Sequence, residues 1–363
     1  MIQGEKLMGK DSEYYKEKTY QQKEKLAELL MELPECVKKY INERRLSLQP
    51  STLIMYCYDY MTFFKFLIEK NPVYKAYKPV NFKYEDLDLI TSDDITEYML
   101  YLEYNNPDNS VPNADRHIND KKAITRKLSA LRGLYQYHFE HNNVKNNPML
   151  LVKLPKIKKD KNIIRLNQQE TVDLLNCANN SSYATSVHME AYRKKTVLRD
   201  NAIITLLLGT GMRVSECAGL DITDVNFTDN SLVIVRKGGG QDVIYFNDEV
   251  SSALSDYIEN ERVGIKAREG HEKALFYSMQ SKRISVDAIQ ALVKKFARMT
   301  VPNKKITPHK LRSTFGTALY RETGDIRLVA DVLGHISVNT TTQFYSAIED
   351  EHKRRAADYK IKH

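Results

Sequence analysis

Long apolar runs are missing from this 363-residue chain. No window approaches the roughly 18 consecutive apolar residues that a membrane-spanning helix needs, so we expect no membrane partner. Segment 1–25 is polar, carries charges of both signs and lacks the apolar stretch of a secretory signal. The sequence therefore predicts a cytoplasmic protein.

Cysteine is also scarce, and its four residues are far apart in the chain: Cys36, Cys57, Cys177 and Cys217. Neither a C-x-x-C pair nor an H-E-x-x-H motif is present, although these spacings are typical of redox and zinc sites. We expect reduced, mostly buried thiols of the kind found in a reducing compartment, and no metal site.

Charge and length point to a multidomain protein with a polyanionic partner. Lys plus Arg outnumber Asp plus Glu by 55 to 47, which gives a net charge of +8. A basic surplus favours nucleic acid as a partner, and its meaning depends on where the charges lie. Hydrophobic residues make up 42% of the chain, and its length predicts about two domains.

The N-terminal half of the chain carries helical patterns. Segment 50–70 has apolar residues at helical spacing and stops before Pro72, because the residue before a proline avoids helical angles. A further helix begins at Thr91 or Ser92, since either side chain can cap it. Segment 105–113 is rich in Asn and Pro and predicts a loop, whereas segment 1–35 predicts one or two charged helices with few apolar anchors.

A helix over residues 121–139 has two distinct faces. Apolar residues three or four apart predict its buried side, namely Ile124, Leu128, Leu131, Leu134 and Tyr135. Its remaining surface is either a solvated basic face or a face that lies against DNA phosphates. A basic linker over 153–165, with Lys158 and Lys159, suits a phosphate backbone in the same way. The basic residues of the helix are Lys121, Lys122, Arg126, Lys127 and Arg132.

The C-terminal half predicts a helical domain with a small sheet. Two β-branched runs, 232–236 and 242–246, flank a glycine-rich tip and predict a β-hairpin. Helices are predicted over 199–208, 250–262, 285–299, 308–322, 326–333 and 338–346, followed by a charged tail helix from about 349. The fold class is therefore mainly α, with a helical N-terminal domain and a mostly helical C-terminal domain.

The segment GTGMRVSE, residues 209–216, is the first of four motifs that carry chemistry. A glycine-flanked turn opens a helix with Arg213 in its first turn, where free N–H groups and the helix dipole favour a phosphate. The guanidinium fork of Arg213 can bind two phosphate oxygens. Glu216 follows three residues later on the same face and can orient the arginine.

The other three motifs lie further along the chain. Lys237 opens the glycine-rich hairpin tip, where glycines allow a close approach to a ligand and the lysine can protonate a leaving oxygen. In HKLR, His309 and Arg312 are three residues apart and share one helical face. The segment LGH ends at His335, and Tyr345 follows ten residues later. No G-x-x-x-x-G-K-[ST] nucleotide-binding motif is present.

Taken together and in this order, GTGMRVSE, RKGGG, HKLR, LGH and Tyr345 resemble the tyrosine recombinases of the phage integrase family. The resemblance spans about residues 35–350, and the layout is most like the single-recombinase Xer type (XerS-like). It implies the tyrosine-recombinase fold. The implied parts are an N-terminal extension 1–35, a SAM-like core-binding domain 36–152, the linker 153–165, a catalytic domain 166–348 and a tail 349–363.

The resemblance also implies a role for each motif residue. Fixed cations can stabilise a pentacoordinate phosphorus without a metal, and a covalent intermediate keeps the bond energy so that rejoining needs no ATP. No cofactor is therefore expected. The implied set is Tyr345 as nucleophile, Arg213 and Arg312 on the non-bridging oxygens, His335 as a hydrogen-bond donor to the phosphate, His309 as general base, Lys237 as the acid for the 5′-oxygen, and Glu216 as the orienting residue.

The function that the resemblance implies is strand exchange on double-stranded DNA through a 3′-phosphotyrosyl intermediate and a Holliday junction. A homotetramer would act on two dif-like or attachment sites, with chromosome dimer resolution as its task. A DNA translocase or accessory protein stays open as a further partner. Segment 347–359 is either exchanged between protomers in a ring or caps its own domain.

Three alternative functions stay open. An integrase of a phage, transposon or conjugative element would use the same chemistry, but segment 1–35 is short for an additional arm-binding domain. A type IB topoisomerase would act as a monomer without pairing two sites. A DNA-binding protein that kept only the fold would not need the full set of catalytic residue types.

Overall fold

The computed structural model describes residues 13–104, 120–156, 164–180, 190, 193–236 and 239–334. These residues form two compact units, over 13–156 and 164–334, and each unit has its own hydrophobic core. Within these ranges no helix is both long and apolar enough to cross a membrane. The elements are mainly helices with one small sheet, which confirms the predicted fold class.

Local chemistry sets the ends of the helices in the N-terminal unit. Helix α3 begins at Pro50, whose fixed φ suits a first turn, and ends at Lys70 as predicted. At the start of α5, the Thr91 N–H donates to Asp94 Oδ2 at 2.8 Å, and the Asp94 N–H donates to Thr91 Oγ1 at 3.3 Å. This reciprocal pair identifies Thr91 as the cap. The helices are α1 (Glu13–Met31), α2 (Glu35–Arg44), α3 (Pro50–Lys70), α4 (Tyr84–Leu89), α5 (Ser92–Tyr104) and α6 (Lys121–Glu140).

Helix α1 corrects one expectation from the sequence. Segment 1–35 predicts few apolar anchors, yet four leucines at i, i+3, i+4 and i+7 spacing are buried: Leu26, Leu29, Leu30 and Leu33. They belong to the same core as the helices that follow, and α1 packs against α3. The boundary predicted at residue 35 therefore does not separate two cores. The surrounding charged residues hide a regular apolar stripe.

Helix α6 has the buried face that its sequence predicts. All five residues of the apolar stripe are at most 5% exposed, namely Ile124, Leu128, Leu131, Leu134 and Tyr135. The helix begins after Asp120, whose Oδ1 accepts a hydrogen bond from the Ala123 N–H at 2.7 Å. The stripe turns α6 into the core beside α2, α3 and α5, and this leaves its basic residues at or near the surface.

The C-terminal unit is built around helix α8, which has buried residues on all sides and packs against α7, α10 and α12. A helix that is apolar all round belongs in the interior. Its end positions the first motif, because Gly211 follows it directly. The helices are α7 (Gln168–Asn179), α8 (Val197–Thr210), α9 (Val214–Ala218), α10 (Asp248–Asn260), α11 (Val286–Thr300), α12 (Pro308–Thr323) and α13 (Ile326–Val332).

The predicted hairpin belongs to a three-stranded antiparallel sheet, ordered β1 (Val225–Asn226), β2 (Ser231–Val235) and β3 (Gln241–Tyr245). The β2–β3 pair closes at Val235 opposite Gln241. Both strands of the hairpin end one residue earlier than the sequence predicts. As a result, Arg236 lies in the turn rather than in the strand.

The four cysteines are free and buried, which confirms the expected state of the thiols. Burial raises the pKa of Cys36 and of Cys57 to about 12. It also raises the pKa of Cys177 and of Cys217. Because the thiolate is the reactive form of cysteine, these residues serve packing rather than chemistry.

Candidate active site

Three arginines meet at the C-terminal end of helix α13, and we call Arg213, Arg236 and Arg312 the arginine cluster. The last carbonyls of a helix have no intrahelical partner and carry partial negative charge, so they attract cations. Here the carbonyls of the last helical residue and of the two residues after it each accept a hydrogen bond from a different guanidinium group. The pairs are Arg236 Nη2 with Val332 O at 3.1 Å, Arg312 Nη2 with Leu333 O, and Arg213 Nη2 with Gly334 O at 3.1 Å.

Arg312 ties together the ends of two helices. Its side chain lies on α12 and is buried, with 4% of the residue exposed. Arg312 Nη1 donates to Gly211 O at 2.7 Å, and Gly211 ends α8 in the left-handed region at φ +61°. One guanidinium group therefore holds the turn after α8 and the turn after α13, where Leu333 lies, at a fixed separation.

Arg213 and Glu216 interact through two hydrogen bonds. Arg213 Nη1 donates to Glu216 Oε1 at 2.8 Å, and the Arg213 backbone N–H donates to Glu216 Oε2 at 2.7 Å. Glu216 is 2% exposed, whereas 29% of the Arg213 side chain is exposed. The carboxylate thus holds the arginine from the protein side, as the spacing of the two residues predicts, and the arginine keeps access to solvent.

One detail of the first motif differs from the sequence interpretation. Arg213 precedes the five-residue helix α9 with extended backbone angles (φ −75°, ψ 146°) rather than lying in its first turn. Its N–H group binds Glu216 and is therefore not available to a phosphate. The part of Arg213 that remains available to an anion is therefore its guanidinium group.

Arg236 is the member of the cluster that the sequence analysis missed. Its side chain is 13% exposed, and Nε donates to Asp242 Oδ2 at 2.8 Å. Its Nη1 lies 3.5 Å from Glu216 Oε2, so the buried carboxylate is shared with Arg213. A lone arginine at a strand end resembles any surface residue. The only signal in the sequence is its position next to Lys237 in RKGGG.

His309 lies in the first turn of α12, and its pKa is lowered from the usual 6.5. Partial burial is the main cause, and the positive charges of Arg312, Lys310 and Arg213 add to it. Both effects disfavour the imidazolium form. At neutral pH the ring is therefore neutral and able to accept a proton, which is what a general base requires.

We expect the His309 imidazole of the DNA-free protein to titrate with a midpoint below 6.5, as followed by NMR. Folding lowers the pKa of His309. At pH values just below 6.5, more of this imidazole is therefore neutral than in an unperturbed histidine. Replacing Lys310 with Gln removes one neighbouring positive charge and should raise the midpoint. A midpoint above 6.5 in the native protein would contradict the electrostatic description of this site.

Three residues of the predicted catalytic set lie outside the described residues: Lys237, His335 and Tyr345. The described chain nevertheless reaches Arg236 and Gly334, the residues directly before Lys237 and His335. Tyr320 lies on α12, is 9% exposed and packs beside Val329 and Leu333. The structure therefore brings Arg213, Glu216 and Arg312 together. His309 is close enough for the positive charges of both arginines to lower its pKa.

The basic residues of α6 do not form one uniform basic face. Lys121 and Lys122 are exposed, but buried Asp59 on α3 forms ion pairs with Arg126 and with Lys127. Arg132 Nη2 donates to Val152 O at 2.8 Å. These partners could not be predicted from the sequence, because Asp59 is more than 60 positions away along the chain. Of the predicted DNA-binding residues, Lys158 and Lys159 lie outside the described residues.

Comparison with known proteins decides the family. Residues 165–352 match the model of the phage integrase family. The chain belongs to this family. It is 33% identical over 317 residues to tyrosine recombinase XerC of Caldanaerobacter subterraneus subsp. tengcongensis, covering 85% of this chain and 81% of the relative. It is 31% identical over 323 residues to tyrosine recombinase XerC of Pediococcus pentosaceus, covering 88% and 95%. The protein is thus a tyrosine recombinase, an enzyme that cleaves and rejoins DNA.

Solved recombinase structures share the fold. The Tn1549 transposon integrase in complex with a circular intermediate DNA superposes with a TM-score of 0.59 at 19% identity, over 88% of this chain and 99% of that chain. The XerH recombinase bound to a palindromic difH substrate has a TM-score of 0.57 at 19% identity, over 82% and 78%. At this level of identity the likeness establishes the architecture of the recombinase.

Proposed function

We propose that this recombinase is an Xer-type enzyme that resolves chromosome dimers by strand exchange at a dif-like site in double-stranded DNA. The XerC relatives, which align over more than four-fifths of the chain, support this role. In this proposal a homotetramer acts on two sites and exchanges segment 347–359 between protomers. A DNA translocase or accessory protein gates the reaction.

The observation that carries the proposed chemistry is the placement of Arg213 and Arg312 on adjacent carbonyls, directly before His335. Like charges repel one another, and the carbonyl dipoles together with buried Glu216 offset this repulsion before DNA binds. Two guanidinium forks can then bind the non-bridging oxygens of one phosphate. Preorganised donors of this kind stabilise the charge that develops in a phosphoryl-transfer transition state.

In the proposed cleavage step, Tyr345 Oη attacks phosphorus and His309 takes up the phenolic proton. Arg213 and Arg312 stabilise the equatorial oxygens, and His335 donates a further hydrogen bond to one of them. The bond from phosphorus to the 5′-oxygen breaks as the bond to Tyr345 forms. Lys237 protonates the departing 5′-oxygen, which leaves a 3′-phosphotyrosyl link and a free 5′-hydroxyl.

Rejoining is the reverse reaction with the 5′-hydroxyl of a partner strand, so the number of phosphodiester bonds is conserved and no ATP is consumed. Two successive exchanges pass through a Holliday junction. The proposed DNA contacts outside the catalytic unit are phosphate contacts, which give affinity without sequence information. They involve exposed Lys121 and Lys122, with Arg126, Lys127, Arg132, Lys158 and Lys159 as further candidates.

Covalent trapping tests this proposal. We expect the purified protein to form a covalent adduct with a nicked suicide duplex that carries a dif-like sequence from its host, with EDTA present. Tyr345→Phe should abolish the adduct on a denaturing gel, because it removes the attacking oxygen and leaves the ring. An adduct that persists in Tyr345→Phe would assign the nucleophile to another tyrosine.

The same assay separates the biological roles. Recombination of an attachment-site duplex from a mobile element in preference to the dif-like duplex would replace dimer resolution with integration. Relaxation of supercoiled DNA that lacks any such site would favour the topoisomerase alternative. Specific retardation on a native gel without any adduct would leave only a DNA-binding role.

A further inference from the structure

Arg236, the last described residue before Lys237, makes backbone hydrogen bonds to both described glycines of the hairpin turn. The Arg236 N–H donates to Gly240 O at 2.7 Å, and the Gly239 N–H donates to Arg236 O at 3.0 Å. Its backbone therefore closes the tip of the hairpin. An added Cβ on Gly239 or Gly240 would have no neighbour within 4 Å, so open space surrounds the Cβ positions of these two glycines.

The side chain of Arg236 supplies the contacts that the glycines lack. Its guanidinium group reaches three separate elements: Asp242 on β3, Val332 O at the end of α13, and Glu216 on α9. With 13% of the side chain exposed, these contacts are largely shielded from water and less weakened by screening than surface pairs. Arg236 thus connects the described end of the hairpin to the helix ends.

Arg236 also shapes the turn that leads to His335. Gly334 adopts a φ of +58°, and a Cβ added there would lie 2.7 Å from both Cζ and Nε of Arg236. The guanidinium group therefore lies directly against the backbone of Gly334. A side chain at this position would force apart the hairpin and the α13 turn.

The third contact of Arg236 is with the buried carboxylate of Glu216. Glu216 Oε1 binds Arg213 Nη1 at 2.8 Å, while Glu216 Oε2 faces Arg236 Nη1 at 3.5 Å. Arg236 Nη1 has no hydrogen-bond partner within the described residues. The pair is thus ionic rather than hydrogen-bonded, and it aligns Arg236 with Arg213 without taking Glu216 away from Arg213.

We propose that Arg236 is a positioning residue, which fixes the backbone directly before Lys237 and directly before His335 relative to Arg213. This inference rests on the proposed role of Lys237 as the acid for the 5′-oxygen. Arg236 itself need not touch DNA, since Nε and Nη2 donate to protein acceptors and Nη1 faces the Glu216 carboxylate. Its loss should remove these contacts on either side of the proposed acid and should slow protonation of the leaving group more than it weakens binding of the phosphate.

A change of leaving group separates this role from a merely structural one. Single-turnover cleavage is compared for the nicked suicide duplex and for the same duplex with sulfur in place of the bridging 5′-oxygen, because a thiolate leaves without a proton. Arg236→Lys should slow cleavage of the oxygen substrate about 10- to 100-fold, a partial loss of the roughly 10²- to 10⁴-fold that general acid catalysis contributes. It should slow cleavage of the sulfur substrate less than about 3-fold.

Asp242→Asn provides a second variant that keeps the arginine and weakens its contact at Nε. Because 43% of the Asp242 side chain is exposed, this change should leave the fold intact. It should cause a smaller loss that the sulfur substrate also relieves. Arg262→Lys is the matched control, since Arg262 is a half-buried arginine that binds the carbonyls of Glu272, Ala274 and Leu275; this control should cleave both substrates normally.

Two outcomes would overturn the proposal while wild-type protein still forms the adduct. Equal losses on both substrates would mean that Arg236 acts on the whole site or on the fold, and unchanged cleavage would mean that it is dispensable. If wild-type protein formed no adduct with either duplex, the proposed recombinase chemistry would fail instead. The wild-type lane of each gel therefore distinguishes the two failures.

Discussion

Replacing Arg312 with lysine should slow strand cleavage by roughly 10²- to 10³-fold, the loss typical of removing one preorganised donor from a transition-state site. Lysine keeps the positive charge but has no planar fork. It cannot hold Gly211 O and Leu333 O at once while also facing a phosphate. The expected result is a large fall in the single-turnover cleavage rate, with the affinity for the duplex on a native gel changed far less.

The control for this variant is Arg298→Lys. Arg298 is an exposed residue on α11 in the same unit, so its replacement tests the general effect of exchanging an arginine. Thermal melting of both variants shows whether the change at Arg312 acts through the fold. Cleavage by Arg312→Lys at the native rate would remove Arg312 from the catalytic set.

Gly211→Ala should destabilise the recombinase and impair cleavage together. Gly211 has a φ of +61°, where a side chain costs about 1–2 kcal/mol for backbone strain. A Cβ there would overlap the ring of Phe315 and lie 3.0 Å from Leu333 Cδ2, and such overpacking adds about 1–3 kcal/mol. Any shift of the Gly211 carbonyl also disturbs the 2.7 Å hydrogen bond from Arg312 Nη1.

Gly324→Ala is the matched control for this prediction. Gly324 ends α12 with a φ of +69°, and a Cβ there would have no neighbour within 4 Å. The two variants therefore share the backbone strain, and the difference between their free energies of unfolding in urea measures the packing cost at Gly211. Equal destabilisation, or normal cleavage by Gly211→Ala, would show that the turn after α8 adapts without disturbing Arg312.

Much of the fold could be predicted because its signals are local. The ends of α3 follow from Pro50 and from the proline after Lys70, and the buried stripe of α6 follows from apolar residues at helical spacing. The hairpin follows from two β-branched runs around glycines. The apolar stripe of α1 is hard to recognise in the sequence because abundant Lys and Glu residues lower its mean hydropathy, although Leu26, Leu29 and Leu30, with Leu33 just after the helix, follow the helical period.

The candidate site was predictable in its residue types and less so in its connections. Arg213 and Glu216 lie three residues apart, so their contact is readable from the sequence. Asp59 forms ion pairs with Arg126 and Lys127, which lie 67 and 68 positions away along the chain. No local pattern indicates such a pair, because it depends on how α3 packs against α6.

The sequence by itself determined the chemistry of this recombinase, since two arginines, a lysine, two histidines and a late tyrosine stand in the order of one family. Only the tertiary structure decided how the arginines are held. Arg213 reaches Gly334 across 121 positions and Arg236 reaches Val332 across 96. The carbonyls at the end of a helix attract cations wherever the fold delivers them, so folding rather than local sequence brings the third arginine to this site.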